Sequence, residues 1–363
     1  MAKRRDLSPD LLYEVCDRFL KGQKVQAIAD HLNHELKTKD TTKEITREQV
    51  YRFLDVARDA RYFWLRPPLE VHLRQRLADR YRLDGRHISV VPVRGASTLN
   101  QVALEAAWLT LDLIKDVARH KASQAGRDQS PEPVHLGLGA GFSTRAVVQH
   151  LVGLLRTEER CPALTVHALS AGFPGEQPSV APVAFFGLFD TLDLGVRYVG
   201  LFAAPVVRTR DYPAIKEDPD FKETFDAASQ IDIVISSLAS AADEHGTLNA
   251  YLRQAPRDAA LLRRAGWIGD LHYRPYSSTR PLLVNTERRA VTLFELADLA
   301  ALARTPHRHV VVLSAPCGRC GRTRNDAIRP LLDVPDLRVW TKLIIDVTTA
   351  EDLLDEGGPR AAG

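Results

Sequence analysis

The sequence of 363 residues lacks the long apolar runs that membrane proteins need. A transmembrane helix requires about 20 predominantly apolar residues, and no run approaching that length is present. The basic first residues are not followed by an apolar core, so no secretory signal is predicted. Only four cysteines are present, too few for a disulfide framework in a chain of this length. We therefore expect a cytoplasmic protein with no membrane partner.

Net charge is also scarce, at +3 with histidine neutral, but the small excess is unevenly distributed. Residues 1–66 contain 14 of the 49 Lys and Arg and 11 of the 46 Asp and Glu, which leaves 35 of each sign in the rest of the chain. The excess therefore belongs wholly to the first part. Taken alone, so small a charge is weak support for nucleic-acid binding. The length fits one small and one large domain.

Three helices are predicted within residues 8–65. Ser8 followed by a proline is typical of a helix N-terminus, and apolar residues then recur at helical spacing. A second, short apolar face precedes a polar stretch at 34–45, which is longer than the usual turn of a helix-turn-helix motif. Thr46 is expected to cap the third helix. This pattern predicts a three-helix module with an enlarged turn.

The outer face of the third helix carries polar side chains near its start. They are Thr46, Arg47, Glu48, Gln49, Tyr51 and Arg52. In helix-turn-helix docking this end of the second motif helix enters the major groove, where Arg and Gln suit the base edges. Residues 1–66 are therefore predicted to be a helix-turn-helix DNA-binding domain. On spacing alone, a helical dimerisation or interaction module fits equally well.

The rest of the chain predicts an α/β fold. Residues 67–87 are expected to form a linker helix, 88–357 the large domain, and 358–363 a disordered tail. The large domain alternates helical segments with predicted strands at 88–93, 134–138, 163–169, 196–202, 231–236, 281–285, 309–314 and 342–346. Residues 120–133 are polar and predict an exposed loop. Such alternation is typical of a mainly parallel sheet covered by helices on both faces.

A glycine-rich turn joins the strand at 134–138 to the following helix. Its candidate anion-binding residues are Gly137, Gly139, Gly141, Ser143, Thr144 and Arg145. Glycines allow close backbone approach, and the free N–H groups at a helix start attract anions. Glycines at such a turn also serve packing, so the motif alone does not decide between a site and a structural connection.

Further glycine-containing turns follow at 169–175, 263–270 and 313–318. Together with the N-terminal helices, the helix at 69–83 and the segment at 346–354, they resemble the SorC family of sugar-responsive regulators in order and spacing. The resemblance implies a helix-turn-helix domain followed by an effector-binding domain similar to sugar-phosphate isomerases and CoA-transferases. It also implies a double-stranded DNA operator, a sugar or sugar-phosphate effector, and a homodimer or homotetramer.

The resemblance implies an effector site at the carboxyl ends of the parallel strands. Besides the glycine-rich turn, it points to Gly172, Asp270 and Arg324. Asp270 would hydrogen-bond to sugar hydroxyls. Arg324 stands where the family often has a lysine, and a guanidinium keeps the charge and binds a phosphate through two donors.

Two other functions remain open. An isomerase or CoA-transferase-like enzyme on this fold would need a carboxylate base beside the glycine-rich turn, and Glu176 and Asp270 are the candidates. No acid–base pair is recognisable, so we expect neither catalysis nor a cofactor. The third interpretation is an adaptor whose helical module binds a partner other than DNA.

Cys317 and Cys320 flank a Gly-Arg pair in the turn after the strand at 309–314. No second Cys or His pair at zinc spacing follows along the chain, so no metal site is expected. Arg319 and Arg322 would lower the thiol pKa and favour a redox role. Two loop cysteines without a role fit the sequence as well.

Overall fold

The computed structural model describes residues 8–37, 44–59, 66–125, 130–158, 160–171, 178–192 and 195–355. The chain divides into two compact units, Met1–Arg66 and Pro67–Gly363. Gly172, Glu176 and the expected tail at 358–363 lie outside the described residues. No helix within the described ranges is both long and apolar enough to cross a membrane.

The first unit contains the three predicted helices, which are α1 (Pro9–Leu20), α2 (Val25–Lys37) and α3 (Arg47–Asp59). Ser8 caps α1, because its hydroxyl accepts a hydrogen bond from the Leu11 N–H at 3.2 Å. Apolar side chains from all three helices form one core, in which Val15, Ile28 and Val50 are completely buried. The helical module predicted from the sequence is confirmed.

The enlarged connection between α2 and α3 is fixed at its far end. The Asn33 side chain donates to the Ile45 carbonyl at 2.8 Å and accepts from the Ile45 N–H at 2.6 Å. Ile45 is itself buried in the helical core. The Asn33 side chain on α2 thus fixes Ile45, the residue immediately before the cap of α3.

The second unit is built on a nine-stranded sheet, with a separate antiparallel pair, β5 and β9. The strands are β1 (Ile88–Val91), β2 (Val134–Leu138), β3 (Leu164–Ala168), β4 (Arg197–Val199), β5 (Val206–Arg208), β6 (Ile233–Ser240), β7 (Gly269–Leu271), β8 (Arg274–Tyr276), β9 (Arg288–Ala290), β10 (His309–Ser314) and β11 (Lys342–Asp346). Seven strands run parallel in the order β1-β11-β10-β6-β2-β3-β4, and β7 and β8 continue antiparallel from the end of β6.

Helices cover both faces of this sheet. They are α4 (Val71–Tyr81), α5 (Thr98–Gln124), α6 (Phe142–Arg156), α7 (Phe186–Phe189), α8 (Tyr212–Glu217), α9 (Pro219–Ala227), α10 (Thr247–Leu252), α11 (Pro256–Arg264), α12 (Leu296–Arg304), α13 (Asn325–Asp333) and α14 (Val347–Asp355). Val310 and Val312 of β10 pack in the core that holds α4, α12, α13 and α14. Val311, between them, is equally buried and points to the opposite face, where α5 packs on β10. The predicted parallel sheet with two covered faces is confirmed.

The helix expected to link the domains, α4, belongs to the second unit. Its Tyr81 hydroxyl donates to the Leu353 carbonyl of α14 at 3.2 Å. Just before α4, the Glu70 N–H donates to the Val90 carbonyl of β1 at 2.8 Å. This segment is therefore anchored to the large unit by its own hydrogen bonds.

Two local predictions are wrong. Residues 281–285 do not form a strand, because Leu283 is 96% exposed while Leu282 packs in a small cluster with Trp267. This apolar run lies in a loop and does not form a strand paired with a neighbour. The exposed loop expected at 120–133 begins later than predicted, because α5 continues to Gln124.

Candidate functional site

The start of α3 is organised by a reciprocal cap. The Thr46 N–H donates to Gln49 Oε1 at 2.9 Å, and the Gln49 N–H donates to Thr46 Oγ1 at 3.3 Å. The Thr46 hydroxyl also lies 3.4 Å from a Glu48 carboxylate oxygen. Two of the predicted base-contacting side chains, Thr46 and Gln49, thus bind their own helix start. In the structure, Thr46 and Gln49 therefore cap the N-terminus of α3.

The exposed part of α3 presents two arginines and a tyrosine. Arg47 lies with its guanidinium carbon 5.7 Å from the centre of the Tyr51 ring, and its Nη2 lies 3.4 Å from the Tyr51 hydroxyl. Arg52 is exposed and makes no hydrogen bond or ion pair with any described residue. Arg58, further along, pairs with Asp55 at 3.0 Å. Arg47 and Arg52 are therefore the cations of α3 that lie nearest its N-terminal end.

In the second unit, the carboxyl ends of β2 and β6 open into a pocket. Its walls are the turn between β2 and α6, the end of β6 with the loop that follows, and the β7–β8 hairpin. The pocket brings together four residues predicted from the sequence, Gly141, Ser143, Asp270 and Arg324. Gly141 and Ser143 are far in the chain from Asp270 and Arg324, and they meet Asp270 because β2 pairs with β6, and β6 with β7.

Each glycine of the turn between β2 and α6 is explained by a different structural constraint. A Cβ on Gly139 would lie 2.8 Å from His272 Cε1 and 3.2 Å from the Ile235 carbonyl oxygen. Gly141 has a φ of +118°, which an L side chain rarely adopts. A Cβ on Gly137 would meet Leu169 at 2.7 Å, so this glycine serves the packing of β2.

Four predicted effector residues in the described part of the chain do not line this pocket. One is Gly139, which follows β2 and lies against His272. Gly137 is buried within β2. Thr144 is completely buried, and its hydroxyl lies 3.5 Å from the Ala140 carbonyl oxygen. Arg145 is half-buried on α6. The structure thus brings part of the predicted set together and places these four residues in the surrounding scaffold.

Asp270 is a buried carboxylate facing Arg324. Its Oδ2 has no hydrogen-bond partner among the described residues, and burial raises the pKa of Asp270 to about 7, with Asp243 adding to the rise and Arg324 opposing it. Arg324 itself is paired with Asp243 Oδ2, at 3.0 Å from Nη2 and 3.3 Å from Nε. The pocket therefore holds a carboxyl group that titrates near neutrality beside a fixed cation.

The β7–β8 turn supplies two further side chains, His272 and Tyr273. Both have positive φ, 52° and 59°, although neither is glycine, and such backbone outliers concentrate at ligand sites. His272 is buried, its Nε2 has no partner among the described residues, and burial lowers the pKa of its imidazole to about 3. The ring is therefore neutral. Sequence reasoning missed both residues, because a His-Tyr pair is not a recognised turn signal.

A second cavity shares Tyr273 and Leu248 with this pocket. Several of its charged side chains have close partners, although Arg289 Nε has no hydrogen-bond partner among the described residues. Arg274 lies 2.8 Å from Glu295, and Asp258 accepts from the Glu287 N–H at 2.7 Å. The pocket at the strand ends is the better candidate site, because it lies at the carboxyl ends of parallel strands, where sheets of this kind bind ligands, and brings together Gly141, Ser143, Asp270 and Arg324. Asp270 and His272 suit ligand hydroxyls, while Arg324 and the first N–H groups of α6 suit an anion.

The fold of this chain is similar to that of solved transcriptional regulators of the SorC and DeoR type. The full-length sorbitol operon regulator SorC from Klebsiella pneumoniae is 16% identical, with a TM-score of 0.65, over 97% of this chain and 100% of that chain. A DeoR family transcriptional regulator from Listeria monocytogenes is 16% identical over 78% of this chain and 98% of its own, with a TM-score of 0.57. A transcriptional regulator from Streptococcus pneumoniae TIGR4 is 14% identical over 78% and 96%, with a TM-score of 0.56.

A scan against protein-family models found no match, and a search of curated proteins found no similar sequence. The solved structures, in contrast, confirm at the level of the fold the resemblance to SorC-family regulators inferred from the sequence. It extends over both the helical and the α/β parts of the chain.

Proposed function

We propose that this chain is a cytoplasmic transcription regulator whose binding to double-stranded DNA is controlled by a small sugar or sugar phosphate. One observation carries the proposal. A pocket in which Oδ2 of buried Asp270 and Nε2 of buried His272 lack a hydrogen-bond partner among the described residues lies beside Arg324, in a chain whose fold matches a full-length operon regulator almost from end to end.

The pocket chemistry supports an effector that is both hydroxylated and anionic. Asp270 and His272 offer buried hydrogen-bonding atoms that gain partners when hydroxyls enter. Arg324 and the start of α6 at Ser143 offer a cation and backbone donors for a phosphate. A phosphorylated sugar satisfies both groups at once, and an unmodified sugar satisfies the first.

The helical unit supports base reading from α3. The exposed Arg47, Tyr51 and Arg52 lie near the end that enters the groove in helix-turn-helix docking, and Glu48 offers an acceptor. Thr46 and Gln49 hold the helix start in place. A homodimer or homotetramer on a pseudo-palindromic operator would present two or more such helices. The effector acts by binding one arrangement of that assembly more tightly than another.

Calorimetric titration of the full chain with sugars and sugar phosphates tests the effector site. We expect binding of at least one such compound, and Arg324→Gln should weaken the phosphorylated one about tenfold or more, because a charge-assisted hydrogen bond is lost. Arg145→Gln removes a half-buried arginine from the same neighbourhood and should leave the affinity nearly unchanged. Equal effects of the two variants would contradict the proposed site.

Selection of genomic fragments by the purified chain, followed by fluorescence anisotropy at several salt concentrations, tests the DNA site. Arg52→Ala should cost about 1–3 kcal/mol of specific binding. Lys21→Ala removes an exposed cation beyond the end of α1 and serves as control. A chain that prefers no fragment, with or without effector, would refute the regulator. Turnover of sugar phosphates would instead support the enzyme.

A further inference from the structure

Four side chains with metal-binding atoms meet next to the pocket, where the loops after β6 and β10 lie side by side. Asp243 and His245 come from the first loop, and Cys317 and Cys320 from the second. One ligand atom of each lies within 4.8 Å of all the others. Cys317 Sγ is 3.5 Å from His245 Nδ1, and His245 Nδ1 is 3.6 Å from Asp243 Oδ1. This group is called the Cys-His-Asp cluster below.

Two of the distances in the cluster, 3.5 Å and 3.6 Å, are close to the edge lengths of a tetrahedral metal site. Zinc binds thiolate sulfur at about 2.3 Å and imidazole nitrogen at about 2.0–2.1 Å, which places the two atoms about 3.5 Å apart across a tetrahedral edge. The observed Cys317–His245 distance equals that edge. Two thiolates with an imidazole and a carboxylate select zinc over magnesium or calcium, which prefer oxygen ligands.

The two loops hold the ligands in place by their own hydrogen bonds. Around the cysteines, the Cys317 N–H donates to the Arg322 carbonyl at 2.9 Å and the Gly321 N–H to the Cys317 carbonyl at 2.7 Å. On the other side, the His245 N–H donates to Asp243 Oδ1 at 3.0 Å. The Arg322 guanidinium bridges the loops by donating to the Ala242 carbonyl at 3.2 Å. The ligand set is therefore supported before any ion binds.

A charged partner also orients the carboxylate. Arg324 binds Asp243 Oδ2, on the oxygen opposite the one that faces His245. Such outer-shell partners fix ligand orientation at metal sites. Because Arg324 lines the candidate effector pocket, the same carboxylate belongs to both neighbourhoods.

We propose that Asp243, His245, Cys317 and Cys320 bind one zinc ion, with four protein ligands and a structural role. The ion joins the loop after β10 to the loop after β6 and, through Asp243, fixes Arg324 at the edge of the pocket. Binding releases the thiol protons of both cysteines to solvent. Metal binding by this cluster is measured without DNA or effector, so its failure would leave the proposed regulator function untouched.

The experiment uses the full chain, purified with reductant, stripped of metal by a chelator and titrated with Co²⁺. We expect one ion per chain, with thiolate-to-cobalt charge-transfer absorption in the near ultraviolet and tetrahedral ligand-field bands in the visible. Added Zn²⁺ should displace the cobalt and bleach both. Cys320→Ser should remove the part of the thiolate-to-cobalt absorption that comes from Cys320. It should also weaken metal binding by more than about 10–100-fold, the loss typical of an outer-shell substitution. Cys320 is exposed, so this variant is expected to fold.

Matched variants make the result specific. Cys161→Ser removes a half-buried cysteine outside the cluster and should leave the cobalt spectrum unchanged. Arg324→Gln should weaken zinc by about 10–100-fold while keeping the thiolate bands, because it removes an outer-shell partner. Less than one bound ion per chain in the reduced protein, or a cobalt spectrum that Cys320→Ser does not alter, overturns the proposal.

Discussion

At the scale of single residues, the pocket depends on groups whose chemistry is set by burial. Asp270 combines 5% exposure with an oxygen that has no partner among the described residues, so its charged form is costly. His272 is neutral for the same reason, since burial lowers the pKa of its imidazole. Arg324 donates to Asp243 Oδ2 at 3.0 Å. Each of these side chains is poised to gain a hydrogen bond from a ligand.

The buried carboxyl predicts a pH-dependent stability. Asp270 holds its proton more tightly in the folded chain, where its pKa is about 7, than in the unfolded chain. Its contribution is therefore fully present below about pH 4 and is lost as the pH rises through about 7, by an amount on the order of 4 kcal/mol. Asp270→Asn has no carboxyl group to ionise and should not lose this stability. The free energy of unfolding of the variant, relative to that of the wild type, should therefore rise between acid and neutral pH.

Urea unfolding followed by tryptophan fluorescence measures this difference, because Trp108, Trp267 and Trp340 all belong to the second unit. Asp336→Asn, at an exposed carboxylate, is the matched control and should follow the wild type across the same range. If Asp270→Asn also follows the wild type, the carboxyl does not titrate as described.

A glycine of the turn predicts a second residue-level effect. Gly139→Ala places a methyl group 2.8 Å from the His272 ring and 3.2 Å from a backbone oxygen of β6. Such overpacking should cost about 1–3 kcal/mol and displace His272, which lowers effector affinity. Gly187→Ala, at a position with nothing within 4 Å, provides the comparison in thermal unfolding and calorimetry. Equal affinities for the two variants would show that His272 has no part in binding.

At the scale of elements, position is decided by how segments are attached. The β7–β8 hairpin turns through two residues of positive φ and thereby places His272 against Gly139. In the helical unit, Asn33 attaches the residue before the α3 cap to α2. In the first place backbone geometry, and in the second a side-chain amide, orients the side chains that the proposed function needs.

The attachment of α3 can be tested separately. Asn33→Ala removes both hydrogen bonds to buried Ile45 and should destabilise the first unit by about 1–3 kcal/mol. Faster amide hydrogen exchange in α3 and weaker DNA binding should follow together. Gln26→Ala, which removes an exposed pair with Asp30 on the same helix, should cost about 0.2–0.5 kcal/mol. Unchanged exchange in α3 after Asn33→Ala would contradict the anchoring role.

At the scale of the whole molecule, the proposed regulator needs coupling between two separately folded units. If an effector changes the affinity for DNA by some factor, DNA must change the affinity for the effector by the same factor. Anisotropy with and without effector, and calorimetry with and without the selected fragment, should give equal ratios. An effector whose affinity is the same with and without DNA would exclude control of DNA binding by this ligand.

Much of the architecture follows from local pattern. Apolar runs such as 134–138 and 309–314 form strands with the predicted bounds, because a buried parallel strand requires continuous apolar residues whatever its neighbours. The glycine-rich turn, Asp270 and Arg324 are also recognisable in the chain. The run at 281–285 shows the limit, since an apolar run that covers a loop has the same composition as a strand.

The sequence by itself determined the helical module and the parallel sheet, because these depend on periodicity and turn chemistry between near neighbours. Only the tertiary structure decided that His272 lies against Gly139 and that Cys317 meets His245, 72 residues away. The physical reason is strand order. Since β10 pairs with β6, the loops that follow them are brought side by side, and no local pattern in the chain encodes that pairing.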